Sequence, residues 1–518
     1  MKKPIAESRI ENKYEQIVNI ILSISILNLL IYIFTLYFTS YGIFRDELYY
    51  IACANRLDFG YVDHPPLSIW ILAGWKFLLG DSLFVIRLLP AFISSISIFI
   101  LGLFTFRLGG GKSAVIISMV TFMLTPIFLG MTTIYSMNVF DFFFWILAAY
   151  IFLQIVESSN SKLWYSLGIV IGLGLLNKTS ILWLGAGVFI GTIFTPLRED
   201  LKTKYPYISA GIALLIFSAY IVWNFTHDFA HLEFMRNAAE HKYGGLTPIS
   251  LILDMFLIFN PLSILIWIPG LIFYFFNKNS RIFRPLGYIW LTTFIILFIN
   301  WHSKAEYLAP AFQILFAGGA IQIVQWNNKR RNLKYALAIP VVVIGLLLNP
   351  LARPLLPVET FIDYQSVLTL GSSNSEGKQL AELPQFYADM FGWESLAKDV
   401  DKVYQSLPDE EKKQTVIYCS NYGEAGAIEY FGKKYNLPKV ICPHNSYWYW
   451  WPEKMDAATV IILGGEAEDH LDALQQCEVA AIHKSKYAMP YENNLKIFVG
   501  RGLRIPLEKI KLELKIFI

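Results

Sequence analysis

The chain has 518 residues, of which 55% are hydrophobic and only 16% are charged. Soluble globular proteins carry about 25% charged residues, and the apolar residues here lie in runs long enough to cross a bilayer, which takes roughly 20 residues. The composition therefore predicts a polytopic membrane protein. A net charge of +3 is too small to indicate a nucleic-acid partner.

Hydropathy predicts a bundle of α-helical spans. The first apolar run follows MKKPIAESRIENKYEQ and is too long to be the core of a cleavable signal peptide. We predict about eleven spans, with approximate limits 17–38, 83–106, 113–131, 134–156, 163–177, 180–196, 206–224, 249–275, 286–301, 306–325 and 334–351.

Lysine and arginine are concentrated in alternate loops, at 2–13, 107–112, 198–204, 278–284 and 329–334. Cytoplasmic loops carry an excess of these residues, so the N-terminus is predicted to be cytoplasmic. The loop 41–80 and everything after residue 351 are then predicted to face outward.

The composition changes after residue 351, which predicts two domains, 1–351 and 352–518. ARPLLPVET indicates a linker. Beyond it, TVIYCS, KVIC and ATVIILGG are typical of buried strands, and GEAGAIEYFGKKY is typical of a helix. We therefore expect a small extracytoplasmic α/β domain. Its three cysteines have no metal-type spacing, and one disulfide among them stays open.

The stretch RDELYYIACANRLDFGYVDHPPL, at 45–67, is the most charged part of the first hundred residues. ELYYIACANRL has the spacing of a helix lying on a membrane surface, and the Pro-Pro pair turns the chain back. Asp46 and Glu47 are thereby brought towards the same water–lipid boundary as Asp63 and His64. The alternative, ordinary solvated loop charges, explains the density of acidic and aromatic residues less well.

Further candidate residues stand near the outward ends of spans. Asp141 opens an apolar run, where a charge is costly and usually faces a polar cavity; the alternative is a helix end among headgroups. Lys178, Lys304, His231 and Arg236 could contact an anionic ligand, although snorkelling towards water is the more common explanation for such lysines. Asp63, His64 and His231 could also bind a divalent metal ion, but three scattered ligands are a weak pattern.

RDELYY and GYVDHPPL together resemble the first outward loop of the GT-C membrane glycosyltransferases. Within these, the chain resembles the dolichyl-phosphate-mannose protein mannosyltransferases and their bacterial relatives, including the aminoarabinose transferases that modify lipid A. NYGEAGAIEYFGKKYNLP and HNSYWYWWP resemble the C-terminal domain of bacterial members. The resemblance implies a GT-C fold in a cell (inner) membrane.

The resemblance also implies an inverting transfer of a sugar from a polyprenyl-phosphate donor. The acceptor would be a hydroxyl of a lipid, glycan or protein at the outer face. The implied catalytic residues are Asp46, its neighbour Glu47, and Asp141. The resemblance places Tyr61, Asp63 and His64 in the second half of the loop motif, His64 as a phosphate contact or metal ligand, and matches Lys178 to a basic position near the donor phosphate. From their own positions in the sequence, Arg45, Tyr49, Tyr50, Arg236 and Lys304 are further candidates for the donor phosphate or substrate, and Asp63 and His231 are candidate metal ligands.

This chemistry has a simple physical requirement. A hydroxyl is a poor nucleophile until its proton is taken, so a carboxylate such as Asp46 can act as general base. The lipid phosphate leaves as a stabilised anion and needs positive charge nearby rather than a general acid, unlike the leaving group of a glycosidase.

Other functions remain as alternatives. A transporter or flippase of lipid-linked sugars would want charges deep in several spans and related halves, whereas the charges here lie mainly at one face and no internal repeat is found. A non-catalytic assembly or sensor protein gives no reason for the Asp46 loop. HNSYWYWWP is explained by a buried aromatic cluster or membrane anchor, or by a platform for a sugar acceptor.

Overall fold

The computed structural model describes residues 5–158, 160–328, 330–368, 380–452 and 457–518. Part of the predicted cytoplasmic charge, at residues 2, 3 and 329, lies outside this part of the chain. The helices are α1 (Ile5–Phe38), α2 (Arg45–Ala54), α3 (Leu67–Leu79), α4 (Leu83–Arg107), α5 (Lys112–Met123), α6 (Pro126–Thr133), α7 (Met137–Glu157), α8 (Leu163–Leu175), α9 (Ile181–Ile193), α10 (Tyr205–Thr226), α11 (Ala230–His241), α12 (Pro248–Ile258), α13 (Ile264–Leu271), α14 (Arg284–Ile299), α15 (Ala309–Asn327), α16 (Leu333–Ala352), α17 (Val358–Val367), α18 (Gln385–Ala388), α19 (Trp393–Ser406), α20 (Asp409–Lys412), α21 (Tyr422–Phe431), α22 (Tyr447–Trp450), α23 (Ala467–Leu471) and α24 (Leu507–Glu513).

The strands all lie in the C-terminal part of the chain. They are β1 (Thr415–Cys419), β2 (Val440–Ile441), β3 (Thr459–Leu463), β4 (Leu474–His483) and β5 (Leu495–Leu503). Short 3₁₀ or π turns occupy Pro196–Lys202, Pro261–Ser263, Ile272–Phe276, Lys278–Phe283, Ala305–Leu308, Gly432–Tyr435 and Pro490–Glu492.

The chain divides into two compact units. The first comprises Met1–Thr39, Phe84–Val222 and Tyr243–Leu356, and the second comprises Ser40–Leu83, Trp223–Lys242 and Pro357–Ile518. The second unit thus joins the whole of the predicted outward loop 41–80 and a central segment to the C-terminal residues. The two predicted domains, 1–351 and 352–518, stay a prediction, and the units follow spatial contact rather than that single boundary.

The membrane-spanning character of the chain is confirmed. Among the described residues, seven helices are long and apolar enough to cross a bilayer, or ten if each of three bent helix pairs counts as one span. The bent pairs coincide with the spans predicted at 113–131, 180–196 and 249–275. The remaining predicted span, 163–177, forms the 13-residue helix α8, which at 1.5 Å per residue is shorter than a bilayer core.

Small residues bring helices of the first unit close together. A Cβ atom added to Gly319 of α15 would overlap the backbone carbonyl of Ile266 on α13, and one added to Gly270 of α13 would overlap that of Leu315. Helices in lipid gain little from the hydrophobic effect between themselves, so close backbone approach at glycines is a main source of their packing.

The second unit contains a five-stranded sheet in the order β2-β1-β3-β5-β4. The strands β2, β1 and β3 are parallel, and β5 pairs antiparallel with both β3 and β4. The first three strands and α21 were predicted from the sequence. The core against this sheet is aliphatic and aromatic: Val416, Ile441, Trp451, Val460, Ile462, Leu474, Phe498 and Leu507.

All four cysteines lie in described segments. Cys53, Cys419, Cys442 and Cys477 are free thiols in the structure. The first three are wholly buried, and burial raises the pKa of each thiol. A buried thiol of raised pKa is inert, so these side chains serve packing here.

Candidate active site

The helix α2 begins at Arg45 and carries the acidic residues Asp46 and Glu47 in its first turn. The backbone N–H of Phe44 donates to Glu47 Oε2 at 2.9 Å, which closes the first turn. Glu47 is fully buried. A carboxylate that satisfies a free backbone N–H at a helix N-terminus is a helix cap, so the structure gives Glu47 a structural contact, and its catalytic role stays a prediction.

Two glycines of α21 let that helix pack directly on α2 within the second unit. A Cβ atom added to Gly423 would lie 2.5 Å from Arg45 Cγ, and one added to Gly426 would lie 2.8 Å from Leu48 Cβ. Real Cβ atoms do not approach this closely. The GEAG part of NYGEAGAIEYF is therefore what lets a C-terminal helix contact the outward loop.

Asp46 is held by a tyrosine from this second helix. The Tyr422 hydroxyl donates to Asp46 Oδ1 at 2.9 Å. The side chain of Asp46 is 39% exposed, whereas Tyr422 is only 9% exposed. Asp46 is thus an anchored carboxylate that a ligand can still reach.

Arg45 faces the protein rather than water. Its guanidinium donates to the Tyr491 hydroxyl at 3.1 Å and lies 3.7 Å from Asp389 Oδ2 and 3.5 Å from Asp46 Oδ1. Burial lowers the pKa of Arg45, but Tyr422, Asp389 and Asp46 outweigh burial and hold it above its ordinary value. Arg45 therefore supplies a fixed positive charge beside Asp46.

Asp63 is held by a second tyrosine. The Tyr49 hydroxyl lies 2.9 Å from Asp63 Oδ1 and 2.8 Å from Ser446 Oγ. Ser446 Oγ also accepts from the backbone N–H of Val62 at 3.1 Å. Burial, together with the negative charge of Asp63, raises the pKa of Tyr49 well above its ordinary value, which keeps the phenol protonated as a donor.

His64 is fully buried among tyrosines. Its ring stacks on Tyr50 at 4.8 Å, and its Nδ1 lies 3.0 Å from the carbonyl of Pro65. Its Nε2 lies 3.9 Å from Asp63 Oδ1 and has no hydrogen-bond partner in the described chain. Tyr61 closes the same turn by donating to the carbonyls of Cys53 and Arg56 at 3.2 and 3.1 Å.

His231, on α11, belongs to the same unit. Its Nδ1 lies 3.1 Å from the carbonyl of Val62. Burial is the main cause that lowers the pKa of His231, with the nearby His64 acting in the same direction and Asp63 opposing it. The imidazole is therefore neutral, as a metal ligand must be. Among the described residues, however, no three His, Cys, Asp or Glu side chains come close enough to hold an ion.

The remaining basic candidates have less defined places. Arg236 is exposed on α11. Lys304, in the first unit, lies 3.8 Å from Glu306 Oε1 and 4.7 Å from the centre of the Tyr243 ring. Neither arrangement selects between ligand binding and snorkelling.

Asp141 and Lys178 come together in the first unit. Lys178 Nζ lies 3.6 Å from Asp141 Oδ2 and donates to Asn138 Oδ1 at 2.7 Å. The Ser180 hydroxyl donates to the Asp141 carboxylate at 3.1 Å. Asp141 is 1% exposed, so it is not a helix-end charge among headgroups, and Lys178 pairs with it rather than reaching for water.

Sequence reasoning missed the C-terminal residues that touch the loop, namely Tyr422, Ser446, Asp389 and Tyr491. Two of them lie in stretches singled out by resemblance, NYGEAG and HNSYWYWWP. Of the latter, Tyr447 and Trp451 are 2% exposed, in line with a buried aromatic cluster. Asp389 and Tyr491 stand in stretches with no distinctive pattern, so no local signal could have found them.

Part of the chain matches a known protein family. Residues 63–223 match the family described as dolichyl-phosphate-mannose-protein mannosyltransferase. This stretch includes Asp63, His64, Asp141 and Lys178, whereas Asp46 and the C-terminal residues lie outside it.

Similar proteins include a curated relative and solved structures of membrane glycosyltransferases. Lipid A galacturonosyltransferase RgtD of Rhizobium johnstonii is 23% identical over 215 residues, which are 40% of this chain and 44% of the relative. The chain thus spans under half of that relative. ArnT from Cupriavidus metallidurans, bound to undecaprenyl phosphate, gives a TM-score of 0.57 at 10% identity, covering 93% of this chain and 97% of ArnT. The Archaeoglobus fulgidus oligosaccharyltransferase with zinc and sulfate gives 0.51 at 13% identity, covering 86% and 67%.

The fold is that of the GT-C membrane glycosyltransferases, in a multi-pass membrane protein with a small C-terminal sheet. The predicted resemblance to the mannosyltransferase family and its bacterial relatives is confirmed. The matching family and the curated relative are both glycosyltransferases, which supports the predicted class of enzyme.

Proposed function

We propose that this chain is an inverting glycosyltransferase that moves a sugar from a polyprenyl-phosphate donor to a hydroxyl of a lipid, glycan or protein acceptor. The observation that carries the proposal is Asp46, a partly exposed carboxylate anchored by Tyr422 on the loop 41–80. The similarity to a lipid A glycosyltransferase and to an undecaprenyl-phosphate-bound structure supports the substrate class.

Asp46 is the general base of the proposed reaction. Its carboxylate takes the proton of the acceptor hydroxyl as the acceptor oxygen attacks the anomeric carbon of the donor sugar. The bond from that carbon to the phosphate oxygen breaks, and its electron pair leaves with the polyprenyl phosphate. One base suffices because attack comes from the face opposite the leaving group, which inverts the anomeric configuration.

The departing phosphate needs positive charge. In the second unit, Arg45 is a fixed cation but is already engaged by Asp389, Asp46 and Tyr491. Lys178 and Lys304 in the first unit, and Arg236 on α11, are the further candidates for the donor phosphate. Tyr49 and Tyr50 act mainly by holding Asp63 and His64.

A divalent metal ion would be held by Asp63 and His231. The chemistry of the donor set fits, because His231 Nδ1 bonds a backbone carbonyl and Asp63 accepts from Tyr49, as the ligands of protein metal sites usually do. With only two protein ligands, such an ion would need further ligands from water or the substrate. A bound ion would supply positive charge at the phosphate oxygens.

The reaction is proposed to take place at the outer face of the cell (inner) membrane. The excess of lysine and arginine in alternate loops supports a cytoplasmic N-terminus. The loop 41–80 and the C-terminal residues then stand on the outer side, where a lipid-linked donor keeps its tail in the bilayer.

The first test compares wild type with Asp46→Asn in detergent. A panel of radiolabelled polyprenyl-phosphate sugars is offered with extracted membrane lipids and peptides, and release of lipid phosphate is followed. We expect release by wild type and a loss of about 100-fold or more in Asp46→Asn, the usual scale for removal of a general base. An exposed-surface variant, Asp363→Asn, serves as the control.

Two results would contradict the proposal. Normal turnover in folded Asp46→Asn would show that Asp46 is not the base. No release from any donor, with donor binding intact, would favour a transporter or flippase of lipid-linked sugars, and the loop would then be a docking site.

A further inference from the structure

The proposed base is oriented by a residue from the far end of the sequence. Tyr422 donates to Asp46 Oδ1 at 2.9 Å, and the weaker contact with Arg45 Nε, at 3.5 Å, goes to the same oxygen. Neither of these two contacts involves the other carboxylate oxygen, Oδ2. We propose that Tyr422 is a positioning residue, whose phenol fixes Oδ1 of Asp46 so that Oδ2 faces the acceptor hydroxyl. This inference rests on the proposed function.

Tyr422 can orient a carboxylate because it is itself fixed. It is the first residue of α21, whose N-cap is Asn421. The Asn421 side chain accepts from the backbone N–H groups of Gly423 and Glu424 at 2.9 and 3.0 Å. Such a cap holds the first turn in place.

The ring of Tyr422 is packed against three neighbouring side chains. It lies 4.9 Å from the ring of Tyr49, 4.6 Å from that of His444 and 5.4 Å from the Arg45 guanidinium. With 9% of its surface exposed, the side chain has already lost its rotamer freedom on folding. The hydroxyl is therefore pre-organised as a donor.

Asp46 needs such a partner more than a buried base would. Its side chain is 39% exposed, so without an anchor it would sample several rotamers in water. A base acts only when it lies within hydrogen-bond reach of the proton, and misplacement by about 1 Å costs up to roughly 100-fold in rate. Through Tyr422, the C-terminal residues of the second unit thus take part in orienting the base.

The experiment compares Tyr422→Phe with Tyr404→Phe. Phenylalanine keeps the ring contacts of Tyr422 and removes only the hydroxyl. Tyr404 is a matched control in α19, because its hydroxyl donates to a backbone carbonyl, that of Lys412, at 3.4 Å. Lipid-phosphate release is measured on full-length protein over a range of donor concentrations, which gives kcat and KM, and thermal unfolding confirms that both variants fold.

We expect kcat to fall about 10-fold in Tyr422→Phe, since a hydrogen bond to a charged group carries roughly that factor or more. KM for the donor should change little, because Tyr422 is not placed on the donor. Tyr404→Phe should have the kcat and the KM of wild type.

The outcomes separate this proposal from the general-base proposal. Loss of turnover in Asp46→Asn together with an unchanged kcat in Tyr422→Phe would refute the positioning role alone. Full turnover in Asp46→Asn would remove the base itself, whatever Tyr422→Phe does. A rise in KM alone in Tyr422→Phe would assign Tyr422 to substrate binding instead, and would also refute positioning.

Discussion

At the scale of single residues, neighbouring side chains in the two acidic clusters of the loop make different kinds of contact. Asp46 and Asp63 each accept from a tyrosine hydroxyl, at 2.9 Å in both cases. Glu47 caps a helix and His64 stacks on Tyr50. Two of these four side chains thus accept hydrogen bonds from tyrosines, and the other two make their contacts within the loop itself.

Metal dependence is a prediction at this scale. If Asp63 and His231 hold a divalent ion, treatment with a chelator should lower the rate at least 10-fold, and added divalent ions should restore it, because the ion would supply positive charge at the departing phosphate. The metal content of purified wild type and His231→Gln is measured by mass spectrometry, with His227→Gln as the control.

Retention of metal by His231→Gln would exclude His231 as a ligand. Full activity after metal has been removed from wild type would exclude any catalytic ion. His227 is a suitable control because its Nδ1 lies 2.8 Å from the carbonyl of Trp223, a local helical contact.

At the scale of secondary structure, a buried carboxyl pair supports the turn that carries Tyr422. Asn421 Nδ2 donates to Glu424 Oε1 at 2.9 Å and to Glu492 Oε1 at 3.0 Å. Both carboxyls are nearly inaccessible, with 2% and 4% of their surface exposed. Burial first, and then repulsion by Glu492, raises the pKa of Glu424 well above its ordinary value.

This pair makes the stability of the second unit depend on pH. Because the folded state holds a proton that the unfolded chain releases near pH 4.5, the favourable contribution is complete below that pH. It is lost as pH rises through the raised pKa. We expect the melting temperature of wild type to fall across this range, and that of Glu424→Gln to fall less steeply.

Thermal unfolding between pH 4 and 9 measures both slopes. Glu410→Gln is the control, since Glu410 lies on α20 with 86% of its side chain exposed and an exposed ion pair contributes little. Equal slopes for wild type and Glu424→Gln would show that the pair does not hold a proton in the folded protein.

Local patterns predicted many of these elements and few of their contacts. Apolar runs long enough to cross a bilayer, and strands such as TVIYCS, follow from periodicity and composition alone. The strand β4 was missed because LQQCEVAAIH is mostly exposed and lacks the apolar run of a buried strand. The strand β5 was also missed, although part of LKIFVGRGL is apolar and buried. The contact between Tyr422 and Asp46 joins residues 376 positions apart, and no local pattern encodes such a pairing.

At the scale of the whole molecule, the candidate residues fall into both compact units. Asp46, Asp63, His64 and His231 belong to the second unit, and the buried pair Asp141–Lys178 belongs to the first. Within the first unit that pair is bonded to Asn138 and Ser180. It can serve the stability of a helical bundle, the donor phosphate, or both, and mutation separates the two roles.

Lys178→Met should destabilise the protein strongly, by about 3 kcal/mol or more, because it leaves the Asp141 charge buried without its partner. Removing both charges, in Asp141→Asn with Lys178→Met, should restore most of that loss, since a buried pair contributes little net stability over neutral groups of similar size. Thermal unfolding in detergent measures both. A double variant as unstable as the single one would show that the two side chains are not coupled.

Activity of the stable double variant then decides the functional role. If Lys178 serves the donor phosphate, the double variant should unfold at nearly the wild-type temperature yet release lipid phosphate at least 10-fold more slowly, with KM for the donor raised. The expectation rests on the phosphate's need for nearby positive charge. Wild-type kinetics in that variant would show that the Asp141–Lys178 pair serves only the stability of the helical bundle. Lys304 and Arg236 would then be the candidates for the donor phosphate.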